Sequence, residues 1–190
     1  MKTKIITVSG ESGSGKSTFS NFLAKLIGAK VIQVDKIVSK LYQNSRFCKQ
    51  IVLGLGNEVL ENGMVCKQKV GLLVFSNPEK QNVLTQISSP YIEKEIKNQM
   101  KGEGFVIIDY KFAPMLSFFE KSCFNVLLVS KNDKKRFALL SLREEKPKEY
   151  LLLRDKNRIE YDKYQFQEVV VHDYDDLEEK AKNVALKIGM

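Results

Sequence analysis

The chain has 190 residues, 43% of them hydrophobic, and a formal net charge of +8. That length suits one domain with insertions around a sizeable core, and no apolar stretch approaches the roughly 18 residues that a membrane span needs. Three widely separated cysteines (Cys48, Cys66, Cys123) and a single histidine, His172, exclude a disulfide framework and argue against a zinc site. Any histidine-based centre would have to stand on His172 alone.

The first element is the apolar run Lys4–Val8, read as a strand, and the amphipathic stretch Ser17–Ile27 reads as a helix. Between them lies Gly10-Glu11-Ser12-Gly13-Ser14-Gly15-Lys16-Ser17, which fits G-x-x-x-x-G-K-[ST] in the strand–loop–helix context that this phosphate-binding motif requires. Glycines keep side chains from between backbone and ligand, so loop N–H groups and the positive helix end can meet phosphate oxygens. Ser12, Gly13, Ser14, Gly15, Lys16, Ser17 and Thr18 are therefore expected to bind the phosphates of a nucleoside triphosphate. Lys16 reaches the outer phosphates and the Ser17 hydroxyl holds Mg²⁺. The loop begins at residue 10, which leaves no room for a leader peptide, so a cytoplasmic location is the default expectation.

Four further β-branched runs follow: Lys30–Val34, Phe105–Asp109, Asn125–Val129 and Glu168–Val171. Alternation of such runs with helical segments predicts an α/β fold with a five-stranded parallel sheet buried on both faces. Residues 36–101 are too long for one crossover and carry several helical patterns: Lys36–Tyr42, Arg46–Leu53, Lys67–Phe75, Pro78–Ile87 and Tyr91–Met100. They read as a helical insertion. Residues 132–164 form a second helical region, broken at Pro147. In open α/β sheets ligands sit beyond the carboxyl ends of the strands. The second strand is read as ending at Asp35 and the third at Asp109, so both carboxylates should face the crevice of Lys16. One can take a proton from an attacking hydroxyl and the other can hold Mg²⁺, or each can simply cap a helix. Four of the chain's five arginines, Arg136, Arg143, Arg154 and Arg158, fall in 132–164. They suit a lid over phosphates, or a solvated surface paired with Glu144 and Glu145.

The positive charge is spread along the chain, with no basic run longer than Lys134-Lys135-Arg136. Charge of this kind without a groove-reading motif does not predict nucleic-acid binding, and it equally suits a polyanionic small ligand.

The stretches Gly56–Val65, Gly71–Pro78 and Leu84–Pro90 resemble, in order and spacing, the "G-x-x-I-L-x-x-D-G", "V-F-x-[DN]-P" and "L-x-x-I-x-H-P" segments of the dephospho-CoA kinase family. The resemblance runs from Val8 to about Val171. It implies a three-layer P-loop kinase fold with a core (1–35, 102–131 and 165–190), a helical acceptor-binding insertion (36–101) and a helical lid (132–164). It implies transfer of the ATP γ-phosphoryl group to the ribose 3′-hydroxyl of dephospho-CoA, with ATP and Mg²⁺ as cofactors. The implied catalytic residues are Lys16, Arg143 and Asp35, which matches the second Asp of an I-D-x-D turn. Arg154 matches a lid arginine toward ATP, and Ser17 and Asp109 are the metal ligands. No membrane or nucleic-acid partner is expected, and the protein is expected to be a monomer or weak homo-oligomer. The chain departs from the family at Gln33 (Asp), Lys67 (Arg), Ser89 (His), Leu139 (Arg) and Lys111–Met115, which replaces "P-L-L-F-E". A kinase for another small acceptor, such as a nucleoside or nucleotide, or a nucleotide-binding member with little catalysis remains the alternative.

Overall fold

The computed structural model describes residues 3–144, 148–156, 159–172 and 174–189. In chain order the elements are β1 (Lys4–Gly10), α1 (Lys16–Ile27), β2 (Lys30–Gln33), α2 (Val34–Leu41), α3 (Ser45–Leu55), β3 (Leu60–Glu61), β4 (Met64–Val65), α4 (Lys67–Phe75), α5 (Pro78–Met100), β5 (Phe105–Asp109), β6 (Phe124–Ser130), α6 (Asp133–Arg143), α7 (Lys148–Lys156), β7 (Gln167–Val171) and α8 (Leu177–Lys187). The chain divides into two compact units. The first comprises 1–34, 97–145 and 159–190, and the second 35–96 and 146–158.

The first unit is built on a five-stranded sheet in the order β2-β5-β1-β6-β7. Every pairing in it is parallel. Its strands are β-branched and apolar on both faces because both faces are covered. Ile6 and Val8 face a core shared with Phe19, Leu23 and Ile27 of α1 and with Leu177, Ala181 and Val184 of α8. Ile5, Thr7, Ser9, Val106 and Ile108, of opposite parity on β1 and neighbouring β5, are buried as well. Each large apolar side chain fully withdrawn from water here stabilises the unit by about 1.5–3 kcal/mol. The five expected strands are present, with shifted ends. β1 continues to Gly10 because Ser9 and Gly10 still pair with Leu127 and Leu128. β2 stops at Gln33, not at Asp35. Val34 already opens α2, and Asp35 sits in that helix's first turn, where a carboxylate favours the helix dipole.

The second unit has its own core. Phe47, Ile51 and Leu55 repeat every four residues along α3 and pack with Val59, Val70 and Val74. Asn44 caps α3, its Oδ1 accepting from the Phe47 N–H at 3.0 Å. Phe47 stands edge-on to Tyr42 and Tyr91, with centroids 5.6 and 5.4 Å away. Burial pushes the Tyr42 phenol far above its ordinary value. α7 docks on α4 through Tyr150, which lies 5.6 Å from the Phe75 ring. A Cβ at Gly71 would meet the Tyr150 hydroxyl at 2.6 Å, so a larger residue there would displace the Tyr150 ring. One sequence expectation is corrected here. Pro78–Ile87 and Tyr91–Met100 are not two helices but the single helix α5, with Pro90 inside it. Proline removes one backbone bond, costing about 3 kcal/mol. Val83, Leu84 and Ile87 before it and Tyr91 after it all pack on the same core and hold the helix through the defect.

Candidate active site

The carboxyl ends of β1, β5, β6 and β7 bring together the chemistry-bearing residues of the first unit. The phosphate loop joins β1 to α1. Gly15 caps α1 in the left-handed region, φ 89°, and supplies no side-chain cap, so the first-turn N–H groups keep their capacity for an anion. Lys16 Nζ donates to the Glu11 carbonyl at 2.9 Å. Ser17 Oγ donates to Asp109 Oδ2 at 2.7 Å. The loop's outer side is held by two side chains that the sequence left unassigned to it. Arg136 of α6, 2% exposed, donates from Nη1 to the Ser12 carbonyl at 2.9 Å. The Tyr174 hydroxyl donates to the Gly13 carbonyl at 2.9 Å. Ser14 is fully buried, and its Oγ has no hydrogen-bond partner within the chain.

These features fit a bound triphosphate. An unsatisfied buried hydroxyl and an uncapped helix N-terminus both call for an acceptor-rich ligand. The Ser17 hydroxyl and Asp109 carboxylate form a hard oxygen pair of the kind Mg²⁺ uses with phosphate oxygens and water. Among the described residues no group of three His, Cys, Asp or Glu could hold a metal ion.

Gly10 is required by the chain itself. Its φ is +141°, and a Cβ there would stand 2.5 Å from the Leu128 carbonyl oxygen. Gly10→Ala is expected to destabilise the protein by about 3 kcal/mol through strain and overpacking. Urea unfolding without nucleotide would read this, and an unchanged midpoint would show that the loop can shift away.

The structure gathers Ser12, Gly13, Ser14, Gly15, Lys16, Ser17 and Asp109 at one place. Thr18 lies exposed in the first turn of α1. Arg143 ends α6 with its side chain 63% exposed and its Nη2 2.9 Å from Glu144 Oε1. Asp35 and Arg154 belong to the second unit, Asp35 exposed and Arg154 partly buried on α7. Lys67, also in the second unit, donates to Ser39 Oγ at 3.0 Å and stands 6.0 Å from the Tyr42 ring centre. Arg158, Glu145 and Pro147 lie outside the described residues. Arg136 was visible as one arginine of the 132–164 cluster, one helical turn from Leu139, and not as a partner of the loop. Nothing in the local pattern marked Tyr174.

A phosphate loop on the central strand of a parallel sheet, with a carboxylate from the neighbouring strand on its serine, is the arrangement of the P-loop nucleotide-binding class, to which P-loop kinases belong. The fold agrees. The shikimate kinase of Bacteroides thetaiotaomicron matches 98% of this chain and 99% of its own with a TM-score of 0.59 at 14% identity. TT1252 of Thermus thermophilus matches all of both chains with a TM-score of 0.79 at 18% identity. The dephospho-CoA kinase family model matches residues 4–173, and the chain belongs to that family. A dephospho-CoA kinase of Fusobacterium nucleatum is 34% identical over 135 residues, 68% of this chain and 67% of that protein. The chain spans about half the length of other curated relatives it matches.

Proposed function

We propose that the protein transfers the γ-phosphoryl group of ATP to the ribose 3′-hydroxyl of dephospho-CoA, giving CoA and ADP in the last step of coenzyme A synthesis, and that it does so in the cytoplasm. The observation that carries this reading is the Ser17–Asp109 contact at 2.7 Å beneath the uncapped start of α1, in a chain matched to this family over residues 4–173.

In the proposed mechanism the loop N–H groups and Ser14 hold the β- and γ-phosphates. Lys16 moves its ammonium from the Glu11 carbonyl to the outer phosphate oxygens. Ser17 and Asp109 hold Mg²⁺, which supplies neutralisation of phosphate charge when bound. Asp35 accepts the proton of the attacking hydroxyl, so the oxygen gains nucleophilicity as the bond to phosphorus forms. Arg143 and Arg154, from a lid at 132–164, oppose the charge that spreads over the transferred group. Residues 36–101 take the acceptor. Lys67 keeps positive charge there without the two-pronged hydrogen bonding of arginine.

The test is ADP release from ATP with dephospho-CoA, adenosine, AMP or uridine, each with Mg²⁺ and with EDTA. Turnover is expected with dephospho-CoA alone, lost in EDTA and restored by added Mg²⁺. Turnover on a different acceptor would reassign the substrate. ATP binding with no turnover on any of them would reduce the protein to a nucleotide-binding member. Activity that persists in EDTA would remove the metal role of Ser17 and Asp109.

A further inference from the structure

Two charged side chains at the phosphate loop, those of Glu11 and Lys111, have no part in the mechanism above. Glu11 is the second residue of the phosphate loop, and its Oε2 lies 2.7 Å from Lys111 Nζ, with the side chains 20% and 8% exposed. Lys111 follows β5 by two residues and opens the segment that departs from the family's "P-L-L-F-E". The pair is wired into the loop through the backbone. The Glu11 carbonyl accepts both Lys16 Nζ, at 2.9 Å, and the Ser14 N–H, at 3.1 Å. The Lys111 carbonyl accepts the Tyr161 hydroxyl at 3.1 Å. Burial first, and the Glu11 carboxylate second, hold the Tyr161 phenol far above its ordinary value. Tyr161 thus stays a hydrogen-bond donor.

A carboxylate inside a loop built for a polyanion opposes that polyanion. In a half-dry site the opposition is strong unless a cation stands against it. We propose that Lys111 is a positioning residue for the triphosphate. It neutralises Glu11 and, by anchoring that side chain, fixes the carbonyl from which Lys16 is presented to the phosphates. The inference deepens the ATP-kinase reading and depends on it. It assigns Lys111 to ATP, not to the acceptor, and it makes the effect of losing Lys111 conditional on the charge at Glu11.

The experiment is calorimetric titration of Mg·ATP, without acceptor, into wild type, Lys111→Met, Lys111→Arg, Glu11→Gln and the double variant Glu11→Gln/Lys111→Met. Thermal unfolding and the KM for dephospho-CoA are read alongside. Lys111→Met is expected to weaken ATP binding about tenfold or more, and Glu11→Gln in that background to restore it to within about threefold of wild type. Lys111→Arg is expected to stay within about threefold, and Glu11→Gln alone to bind ATP at least as well as wild type. The KM for dephospho-CoA should not move. A double variant as weak as Lys111→Met would overturn the proposal, because Lys111 would then act on phosphate directly. ATP binding unchanged in Lys111→Met would overturn it as well. If Lys111→Met does not fold, Glu11→Gln decides alone: a tenfold loss of ATP affinity there overturns the inference. Wild type that binds no ATP would overturn the proposed function itself, an outcome distinct from the others.

Discussion

Replacing Lys16 by alanine should lower turnover by about 10³-fold or more while the protein stays folded. The ammonium is the cationic group of the loop motif itself. It rests on the Glu11 carbonyl 2.9 Å away, a contact worth about 1 kcal/mol to stability. α1 is held by Phe19, Leu23 and Ile27, which are all buried, so the helix survives the change. Unfolding temperature should therefore fall by only about 2–4 °C. Charge on the transferred group, by contrast, peaks in the transition state, and a cation aimed there acts far more strongly than in the ground state. Single-turnover rates and thermal unfolding on the same preparation separate the two effects. Substantial turnover in Lys16→Ala would remove the phosphate loop from the mechanism.

Much of this arrangement was legible in the chain, for identifiable reasons. The phosphate loop is a local motif whose glycines, lysine and serine are contiguous, so Ser17 and its loop were found without tertiary information. Asp109 was found because strand ends in a parallel sheet converge. The register confirms the placement, setting Val8 of β1 and Gln33 of β2 opposite Asp109. The hairpin of β3 and β4 was missed although its turn, Asn62-Gly63, has positive φ at both residues, 50° and 76°, the backbone that an Asn-Gly pair favours. Its strands are two residues long and lie within helical surroundings, so periodicity gave nothing to read. Pro90 misled in the opposite direction: a local breaker was outweighed by apolar contacts on both sides of it. Arg136, Tyr174 and the Glu11–Lys111 pair come from segments distant in sequence. Only the folded sheet reveals which of the chain's many charges approach the loop.

The departures from the family have a physical pattern at the sheet. Gln33 is in register with Asp109. An aspartate at 33 would add a second carboxylate beside the one that accepts the Ser17 hydrogen bond, and adjacent like charges raise the pKa of one of them. Glutamine leaves Asp109 as the sole carboxylate of that pair. At Lys111 a cation has entered, and it is spent on the loop's own Glu11. Both changes alter the charge around the phosphate site while leaving Lys16, Ser17 and Asp109 in place. The calorimetric series above reads the change at Lys111.

Asp35→Asn is expected to lower kcat by about 10²- to 10⁴-fold, the ordinary contribution of a general base, with KM for ATP within about threefold of wild type. Asparagine matches the carboxylate in size but cannot take the proton of the attacking hydroxyl. The helix around it should tolerate the exchange. Ser39 Oγ bonds the main-chain carbonyl of Asp35 at 2.8 Å, not its carboxylate, and Asp35 is exposed. What is lost structurally is a first-turn charge against the helix dipole of α2, about 0.3–1 kcal/mol. Rate and stability therefore point in different directions for the two roles open to this residue. A general base gives a large fall in kcat with a small change in unfolding. An aspartate that merely starts α2 gives a small fall in kcat that scales with stability. Equal losses in kcat and ATP affinity, or a mutant as fast as wild type, would assign Asp35 to the helix and leave the proton to another group.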